Sequence, residues 1–173
     1  MRAAGQFFGA KPFSEVSIAP ILEKANVHAP TLYYHFGDKE GLYLAWLEQV
    51  SSAMRSQLGI RPEIALEDGL AAFASIYFVT AKFDFGQILR DQSSMSRDES
   101  RATVYGYYFR AVYEPLCAIL MSGMERGELP PEPVGRVADV FLGGLFALQS
   151  NVDRDPAGVA AWYVKRFLNG HLA

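Results

Sequence analysis

Cysteine is almost absent from this sequence. Cys117 is the one cysteine among 173 residues, so the chain cannot form an internal disulfide, and a reducing compartment is its natural setting. Long hydrophobic runs are lacking too, because none approaches the ~20 apolar residues that a membrane span requires. The first helical pattern begins almost at Met1, with no signal peptide ahead of it. These features predict a soluble, cytoplasmic protein.

Signals for catalysis and for a bound metal are equally scarce. The chain lacks a glycine-rich phosphate loop, a paired metal-binding motif and a serine or cysteine nucleophile in a recognisable setting. His28 and His35 are seven positions apart without a third ligand at a suitable spacing. Cys117 falls on the apolar side of a predicted helix, where a thiol is inert. We therefore predict that the protein is not an enzyme and has no catalytic residue, metal or cofactor.

Positive charge is in short supply as well. The net charge of the chain is −3, and residues 1–50 hold four basic and five acidic residues, a balance of −1. Non-specific affinity for DNA depends mainly on the neutralisation of phosphates by lysine and arginine. Any non-specific binding of nucleic acid by this chain is therefore expected to be weak.

Helical periodicity, by contrast, is present almost throughout. Half of the residues are hydrophobic and 13% are aromatic, enough for a packed interior. Apolar residues recur at steps of three and four, and no stretch of useful length alternates as a strand would. We predict an all-α fold of about nine helices. Outside residues 17–36 the predicted helices are Arg2–Ala10, Lys39–Leu58, Pro62–Lys82, Phe85–Ser94, Asp98–Arg126, Glu132–Asn151 and Asp155 or Pro156 to Gly170.

Two short helices separated by a tight turn are predicted between Ser17 and Phe36. Ser17 is a good N-cap for the first helix, and Asn26 tolerates the left-handed conformation that ends it. The second helix opens near Pro30, with Leu32 and Phe36 one turn apart on its buried side. Polar groups occupy the remaining positions: Thr31, Tyr33, Tyr34 and His35. This is the layout of a helix-turn-helix, whose second helix enters the major groove of DNA.

The segment Val27–Phe36, together with Lys39-Glu40 and Leu42 after it, resembles the TetR family of transcriptional regulators. The family pattern is Gly-Val, two variable positions, Gly or Pro, Thr-Leu-Tyr, two positions, Phe, then Lys-Glu and Leu. Asn26 stands where the family has glycine, and Pro30 takes the Gly/Pro position. The resemblance covers roughly the first quarter of the chain.

The resemblance implies an all-α protein with two functional domains. Residues 1–46 would form a three-helix DNA-binding headpiece, and residues 47–173 a helical ligand-binding and dimerisation domain. The implied function is a DNA-binding regulator, a repressor that a small-molecule effector releases from its operator. Members of the family usually carry a basic segment before the first helix. Because this sequence starts without one, we expect that its N-terminus is short or its start misassigned.

By resemblance, contacts with double-stranded operator DNA are expected from one set of headpiece residues. Thr31, Tyr34 and His35 can donate hydrogen bonds to phosphate oxygens, and Lys39 can pair with a phosphate. Ala29 and Pro30 offer apolar surface suited to a thymine methyl. The full expected set is Ser17, His28, Ala29, Pro30, Thr31, Tyr33, Tyr34, His35 and Lys39.

A homodimer is expected through the last two helices, which carry wide apolar faces and pair with their mates as a four-helix bundle in the family. A dimer would also present two recognition helices about 34 Å apart, one turn of DNA. Gly143 and Gly144 each cost about 1 kcal/mol relative to alanine within a helix, and a closely approaching backbone would explain them. The alternative is that this face packs within its own subunit. The expected interface residues are Phe141, Gly144, Leu145, Leu148, Trp162, Tyr163 and Phe167.

A ligand pocket is expected in the larger domain, where aromatic residues are denser than a core requires. Pockets for small molecules are apolar with a few polar groups, and tyrosine supplies both. The predicted lining is Tyr77, Tyr105, Tyr108, Phe109 and Tyr113. Each of these residues alone is equally compatible with an ordinary core or surface position, and the effector is not identified by the sequence.

A second function remains open from the sequence. The acidic headpiece is compatible with a dimeric, small-ligand-binding helical protein that has lost DNA binding. The slope of DNA affinity against salt distinguishes the two, because an operator-binding dimer loses affinity steeply as salt rises.

Overall fold

A computed structural model describes residues 1–58, 64–80, 85–149, 152 and 155–171. All regular structure in these ranges is helical, which confirms the all-α prediction. None of the helices described is long and apolar enough to cross a bilayer. The α-helices are α1 (Arg2–Phe8), α2 (Ile18–Ala25), α3 (Ala29–Phe36), α4 (Lys39–Leu58), α5 (Leu66–Thr80), α6 (Phe85–Asp91), α7 (Asp98–Tyr108), α8 (Glu114–Glu125), α9 (Val134–Leu148) and α10 (Pro156–His171).

The predicted helix over Asp98–Arg126 is one continuous helical run whose middle is wider than an α-helix. Between α7 and α8 the residues Phe109–Tyr113 form a π-helical turn. Pro115, near the start of α8, has no backbone N–H and its ring crowds the carbonyl four residues earlier, at Ala111. The π turn accommodates this proline without ending the helix. Counted as one, this run makes nine helices in the described ranges, the number predicted.

Most helix bounds lie close to the prediction. α4 has the predicted bounds, and the predicted Phe85–Ser94 is α6 followed by a 3₁₀ turn at Gln92–Ser94. α9 begins two residues later than predicted, because Pro133 is extended and serves as its N-cap. The predicted ends at Pro62, Lys82 and Asn151 lie outside the described residues.

The turns around the two short helices follow the local chemistry. Asn26 is left-handed, with φ of 51°, and ends α2 as predicted. Gly37 has φ of 76°, which favours glycine, and ends α3. Asp38 caps α4, because its Oδ1 accepts a 2.8 Å hydrogen bond from the Gly41 N–H. Ser17 is the extended N-cap of α2, but its hydroxyl oxygen does not accept the expected hydrogen bond from a backbone N–H of the first turn.

Contacts divide the chain into two compact units. The first, the N-terminal unit, comprises residues 1–53 and 83–109, and the second, the C-terminal unit, comprises residues 54–82 and 110–173. The division into functional domains at residues 46 and 47 stays a prediction. Packing groups the residues differently, because α6 and α7 belong with the first four helices.

An aromatic cluster forms the core of the N-terminal unit. Tyr43, which is fully buried, has ring centroids 5.0 Å from Phe8 and 5.1 Å from Phe13. Trp46 adds a third contact to Tyr43, at 5.4 Å. Phe8 therefore joins α1 to α4, whereas Phe7 is only half-buried.

The C-terminal unit is built around α5, which packs against α8, α9 and α10. Phe73 of α5 is fully buried and meets Phe141 of α9 at 6.2 Å between ring centroids. Phe141 in turn lies 4.9 Å from Phe167 of α10. Gly144 sits beside Tyr163, whose hydroxyl donates a 2.9 Å hydrogen bond to the Phe141 carbonyl. A side chain of the same protomer, not a neighbouring backbone, thus explains Gly144.

We expect Gly144→Ala to destabilise the protein. A Cβ atom at Gly144 would lie 2.1 Å from the Tyr163 hydroxyl and 2.4 Å from its ring, so the ring must move and lose its hydrogen bond. Overpacking of this kind costs about 1–3 kcal/mol, which exceeds the gain of about 1 kcal/mol from replacing glycine in a helix. Urea denaturation measures the free energy of unfolding.

Gly143→Ala is the matched control, because no atom lies within 4 Å of a Cβ atom built there. This variant is expected to gain stability from helix propensity alone. Equal stability of the two alanine variants would contradict the role assigned to Gly144.

Candidate nucleic-acid interface

Helix α3 is held by its apolar side and presents a polar side. Leu32 is 6% exposed, and Phe36 one turn later is half-buried. Tyr33 and Tyr34 on the other side are 49% and 85% exposed, large values for aromatic side chains. The backbone is left-handed at Asn26 and extended at His28, and these two conformations set the direction in which the chain enters α3.

Most of the predicted DNA contacts are exposed. Pro30, Tyr33 and Tyr34 share one side of α3 by their spacing of three and four residues. Tyr34 and His35 touch edge to face, with ring centroids 5.2 Å apart. The exposed members of the predicted set are Ser17, His28, Pro30, Thr31, Tyr33, Tyr34 and His35, whereas Ala29 and Lys39 are half-buried. DNA contact by these residues stays a prediction.

Lys39 differs from the rest of the set because its ammonium group is already engaged within the protein. Its Nζ donates a 2.8 Å hydrogen bond to the Val16 carbonyl and lies 4.2 Å from the centre of the Phe13 ring. Burial lowers the pKa of Lys39 and outweighs the attraction of Asp91, which raises it. Lys39 thus braces the segment before α2, and its role as a phosphate contact remains to be tested.

Glu40 anchors the start of α4, directly after α3. Its Oε1 accepts hydrogen bonds of 2.5 Å from the Ser96 N–H and 2.7 Å from the Ser96 hydroxyl. Arg97 lies 3.1 Å from Oε2 and also pairs with Asp38 at 3.0 Å. Burial alone would raise the pKa of Glu40, but hydrogen bonds from Ser96 and Ser100 and the charge of Arg97 lower it to about 2.

A second carboxylate, on α6, joins three segments of the N-terminal unit. Asp91 is 2% exposed and accepts hydrogen bonds from the Phe13 N–H at 3.0 Å and the Tyr43 hydroxyl at 2.9 Å. The Gln87 amide donates a third, at 2.8 Å. Burial and the nearby Asp91 charge raise the pKa of Tyr43 well above its usual range, so its hydroxyl remains a donor.

These anchoring residues were missed by sequence reasoning. Glu40 and Ser96 are 56 positions apart, and Phe13 and Asp91 are 78 apart. No local pattern connects partners at such distances. One local signal was available, Asp38 just before α4. An aspartate there predicts a helix cap, but it does not predict the ion pair with Arg97.

The predicted ligand-binding residues fall in different environments. Tyr77 is 3% exposed within the C-terminal unit, and Tyr113 of the same unit donates a 3.3 Å hydrogen bond to the Gly135 carbonyl. Tyr105 and Phe109 belong to the N-terminal unit, where their rings stack at 6.2 Å and are 53% and 38% exposed. Tyr108 is half-buried. A single pocket lined by all five residues stays a prediction.

The predicted dimer residues divide into buried and exposed groups. Phe141, Leu145 and Phe167 are buried within the protomer, and Gly144, Leu148 and Tyr163 are half-buried, so only Trp162 is exposed, at 55%. The packing of Phe141 against Phe73 and Phe167 fits the alternative that this part of the face serves its own subunit. Two further apolar side chains of α9 are exposed, Val140 at 59% and Phe146 at 47%, and the sequence reasoning missed Phe146.

The sequence and fold were compared with known proteins. Residues 1–46 match the family model of bacterial regulatory proteins of the tetR family. The A-factor receptor protein of Streptomyces griseus is 26% identical over 136 residues, which cover 75% of this chain and 45% of that protein. The chain thus spans less than half the length of this relative.

Solved structures show the same fold. A tetR-family regulatory protein from Rhodococcus RHA1 has a TM-score of 0.76 at 19% identity, covering 98% of this chain and 93% of that one. The tetR-family regulator PfmR from Thermus thermophilus has a TM-score of 0.71 at 24% identity, covering 96% and 95%. The matching family and these structures are described as regulators rather than enzymes.

We expect Glu40→Gln to lower stability at neutral pH and to flatten its dependence on acid. The folded-state pKa of Glu40 is about 2, below its ordinary value of 4.5. Its stabilising contribution is therefore fully present above about pH 4.5 and is lost as the pH falls towards 2. Denaturation of both proteins between pH 2 and pH 7 measures the difference.

Glu48→Gln provides the control, since Glu48 is an exposed glutamate of the same helix. Its stability should follow the unmodified protein across the pH range. The assignment fails if Glu40→Gln loses stability in acid as steeply as the unmodified protein does.

Proposed function

We propose that this chain, whose residues 1–46 match the family model of bacterial regulatory proteins of the tetR family, is a DNA-binding transcriptional regulator that a small molecule releases from its operator. In this proposal residues 1–46 bind DNA, and residues 47–173 bind the effector and dimerise. Repression is the mode that the resemblance implies.

The observation that carries the proposal is the exposed polar side of α3. Tyr34 is 85% exposed beside Tyr33 at 49%, so both side chains are available to a partner. Their hydroxyl groups and the Thr31 hydroxyl are donors that suit phosphate oxygens. The buried Leu32 fixes the helix beneath them.

The side chains of α3 determine which contacts with DNA bases can be expected from it. The helix carries no arginine or asparagine, so the bidentate contacts that read guanine and adenine are absent from it. Ala29 and Pro30 offer apolar contact to thymine methyl groups, and Tyr33 reaches a base edge or a phosphate. The proposed headpiece therefore binds with modest direct discrimination and depends on phosphate contacts for its position.

Dimerisation is proposed through the exposed apolar side of α9 and α10. Val140, Phe146 and Trp162 are between 47% and 59% exposed. Apolar side chains of this size on a two-helix face are typical of an interface between subunits. The buried Phe141, Leu145 and Phe167 support that face from behind.

The effector proposal follows from the family and from one relative. The Streptomyces griseus relative is named a receptor for A-factor, which supports a regulator that responds to a small molecule. We propose a small, largely apolar or aromatic effector. It must bind the DNA-incompetent arrangement more tightly than the competent one, because a ligand with equal affinity for both shifts nothing.

A dimeric ligand-binding protein without DNA affinity is the second candidate. Two observations favour it: the engagement of Lys39 with Val16 and the balance of −1 over residues 1–50. An operator-binding dimer shows log affinity falling with log salt by about 0.9 per phosphate contacted. The second candidate shows no specific binding at any salt concentration.

We expect Tyr34→Ala to weaken binding to the DNA upstream of its own gene by about tenfold or more, the loss of one hydrogen bond to a charged phosphate. Because Tyr34 is 85% exposed, the folded protein should be unaffected. Fluorescence anisotropy at low and moderate salt measures affinity and salt slope together.

Tyr105→Ala is the matched control, since it removes another exposed tyrosine, 53% exposed, away from α3. It should leave DNA affinity unchanged and lower affinity for the effector. Unchanged DNA affinity of the Tyr34→Ala protein would exclude that side of α3 as the contact surface.

We expect Val140→Lys to weaken the dimer by at least about tenfold, because an interface would bury an unpaired ammonium group. Val79→Lys is the control, since Val79 is 57% exposed on α5 and Val140 is 59% exposed on α9. Sedimentation equilibrium measures the dimer dissociation constant. A dimer disrupted by Val79→Lys and not by Val140→Lys would place the interface elsewhere.

A further inference from the structure

A cavity of about 180 Å³ lies within the N-terminal unit, among α1, the turn after it, α4 and α6. A cavity of about 150 Å³ holds a benzene molecule, so this one has room for a small organic compound. The lining is mixed: an apolar wall comprises Phe8, Pro12, Trp46 and Ile88, and a polar wall comprises Lys11, Gln87 and Asp91. None of the five predicted effector residues lines it.

The polar wall contains a buried negative charge with no ion-pair partner among the described residues. Asp91 is 2% exposed, and its three hydrogen bonds come from the neutral groups of Phe13, Tyr43 and Gln87. The Lys39 ammonium is attracted to Asp91 but binds the Val16 carbonyl instead. Buried carboxylates are ordinarily paired with a cation, and two carboxylate oxygens accept about four hydrogen bonds. One acceptor position and the charge therefore remain for a ligand.

The apolar wall suits the rest of such a ligand. Phe8 and Trp46 have ring centroids 5.7 Å apart and are tilted by 34°, so they form a continuous aromatic surface. Aromatic faces attract organic cations and bury flat apolar groups. The polar residues of the lining supply the carboxylate.

We propose that this cavity binds a small organic amine in its protonated form. The ammonium group donates to Asp91, and the apolar body lies against Phe8 and Trp46. None of the residues proposed to line the effector pocket contributes to this cavity, so the inference goes beyond the proposed function. Lys11 also lines the cavity, and its charge opposes a second cation.

Fluorescence of Trp46 tests the proposal in the full chain without DNA. The chain has two tryptophans, so a Trp162→Phe background assigns the signal to Trp46. The probes are benzylammonium and benzyl alcohol, which match in shape and differ in charge. Benzylammonium should change the emission saturably and bind about tenfold more tightly than benzyl alcohol, the value of a charge-assisted hydrogen bond.

Three variants decide whether the cavity and Asp91 cause that difference. Asp91→Asn keeps the shape of the side chain and two of its hydrogen-bond acceptor positions but removes the charge. It should therefore remove the preference for benzylammonium over benzyl alcohol. Lys11→Gln should tighten benzylammonium binding. Ala10 is exposed and lines the cavity, so we expect the larger side chain of Ala10→Phe to cover it and abolish binding. This variant leaves the Asp91 carboxylate in place, so the test holds even if the Asp91→Asn protein does not fold.

The proposal is overturned if neither probe binds saturably, or if both bind equally well. It is also overturned if the Ala10→Phe protein binds like the unmodified one, or if a folded Asp91→Asn protein keeps its preference for the cation. Because no DNA is present, these outcomes are independent of the proposed DNA binding. Loss of operator binding in the Tyr34→Ala protein would leave them unchanged.

Discussion

The N-terminal unit depends on the burial of one carboxylate group, that of Asp91. A charge removed from water must receive hydrogen bonds, and these come from the Phe13 backbone, the Tyr43 hydroxyl and the Gln87 amide. The donors lie on three different segments, which the carboxylate holds in one arrangement. Helices α2 and α3 lie between Phe13 and Tyr43 in the chain. The segment that contains the proposed recognition helix is therefore held by the same group on both sides, before α2 and within α4.

Glu40 adds a second constraint of the same kind, immediately after α3. Its carboxylate is held by Ser96 and Arg97, which follow α6 in the chain. Polar bonds, as well as aromatic packing, thus explain why residues 83–109 belong with the first four helices. The functional headpiece proposed for residues 1–46 is smaller than the unit that holds it in shape. In the proposed regulator, substitutions of Asp91, Ser96 or Arg97 would therefore affect DNA binding without contacting DNA.

Helix α9 shows how one apolar helix serves two purposes. Phe141 and Leu145 face the protomer's own core, and Gly144 makes room for the Tyr163 ring. Val140, Gly143 and Phe146 remain exposed on other sides of the same helix. Periodicity cannot separate these two sets, because both are apolar and both recur at helical steps. Only the packing of α5 and α10 against α9 decides which of its apolar residues are buried and which stay exposed.

The sequence by itself determined the helices, their ends and the recognition motif. Those features depend on contacts within a few residues, as with the left-handed Asn26, the Asp38 cap and the bounds of α4. Only the tertiary structure decided which carboxylates anchor the headpiece, that Lys39 turns inward and that a cavity lies beside Asp91. These features join residues 23 to 78 positions apart. Such distant pairs leave no local pattern, because the fold and not the neighbouring sequence brings them together.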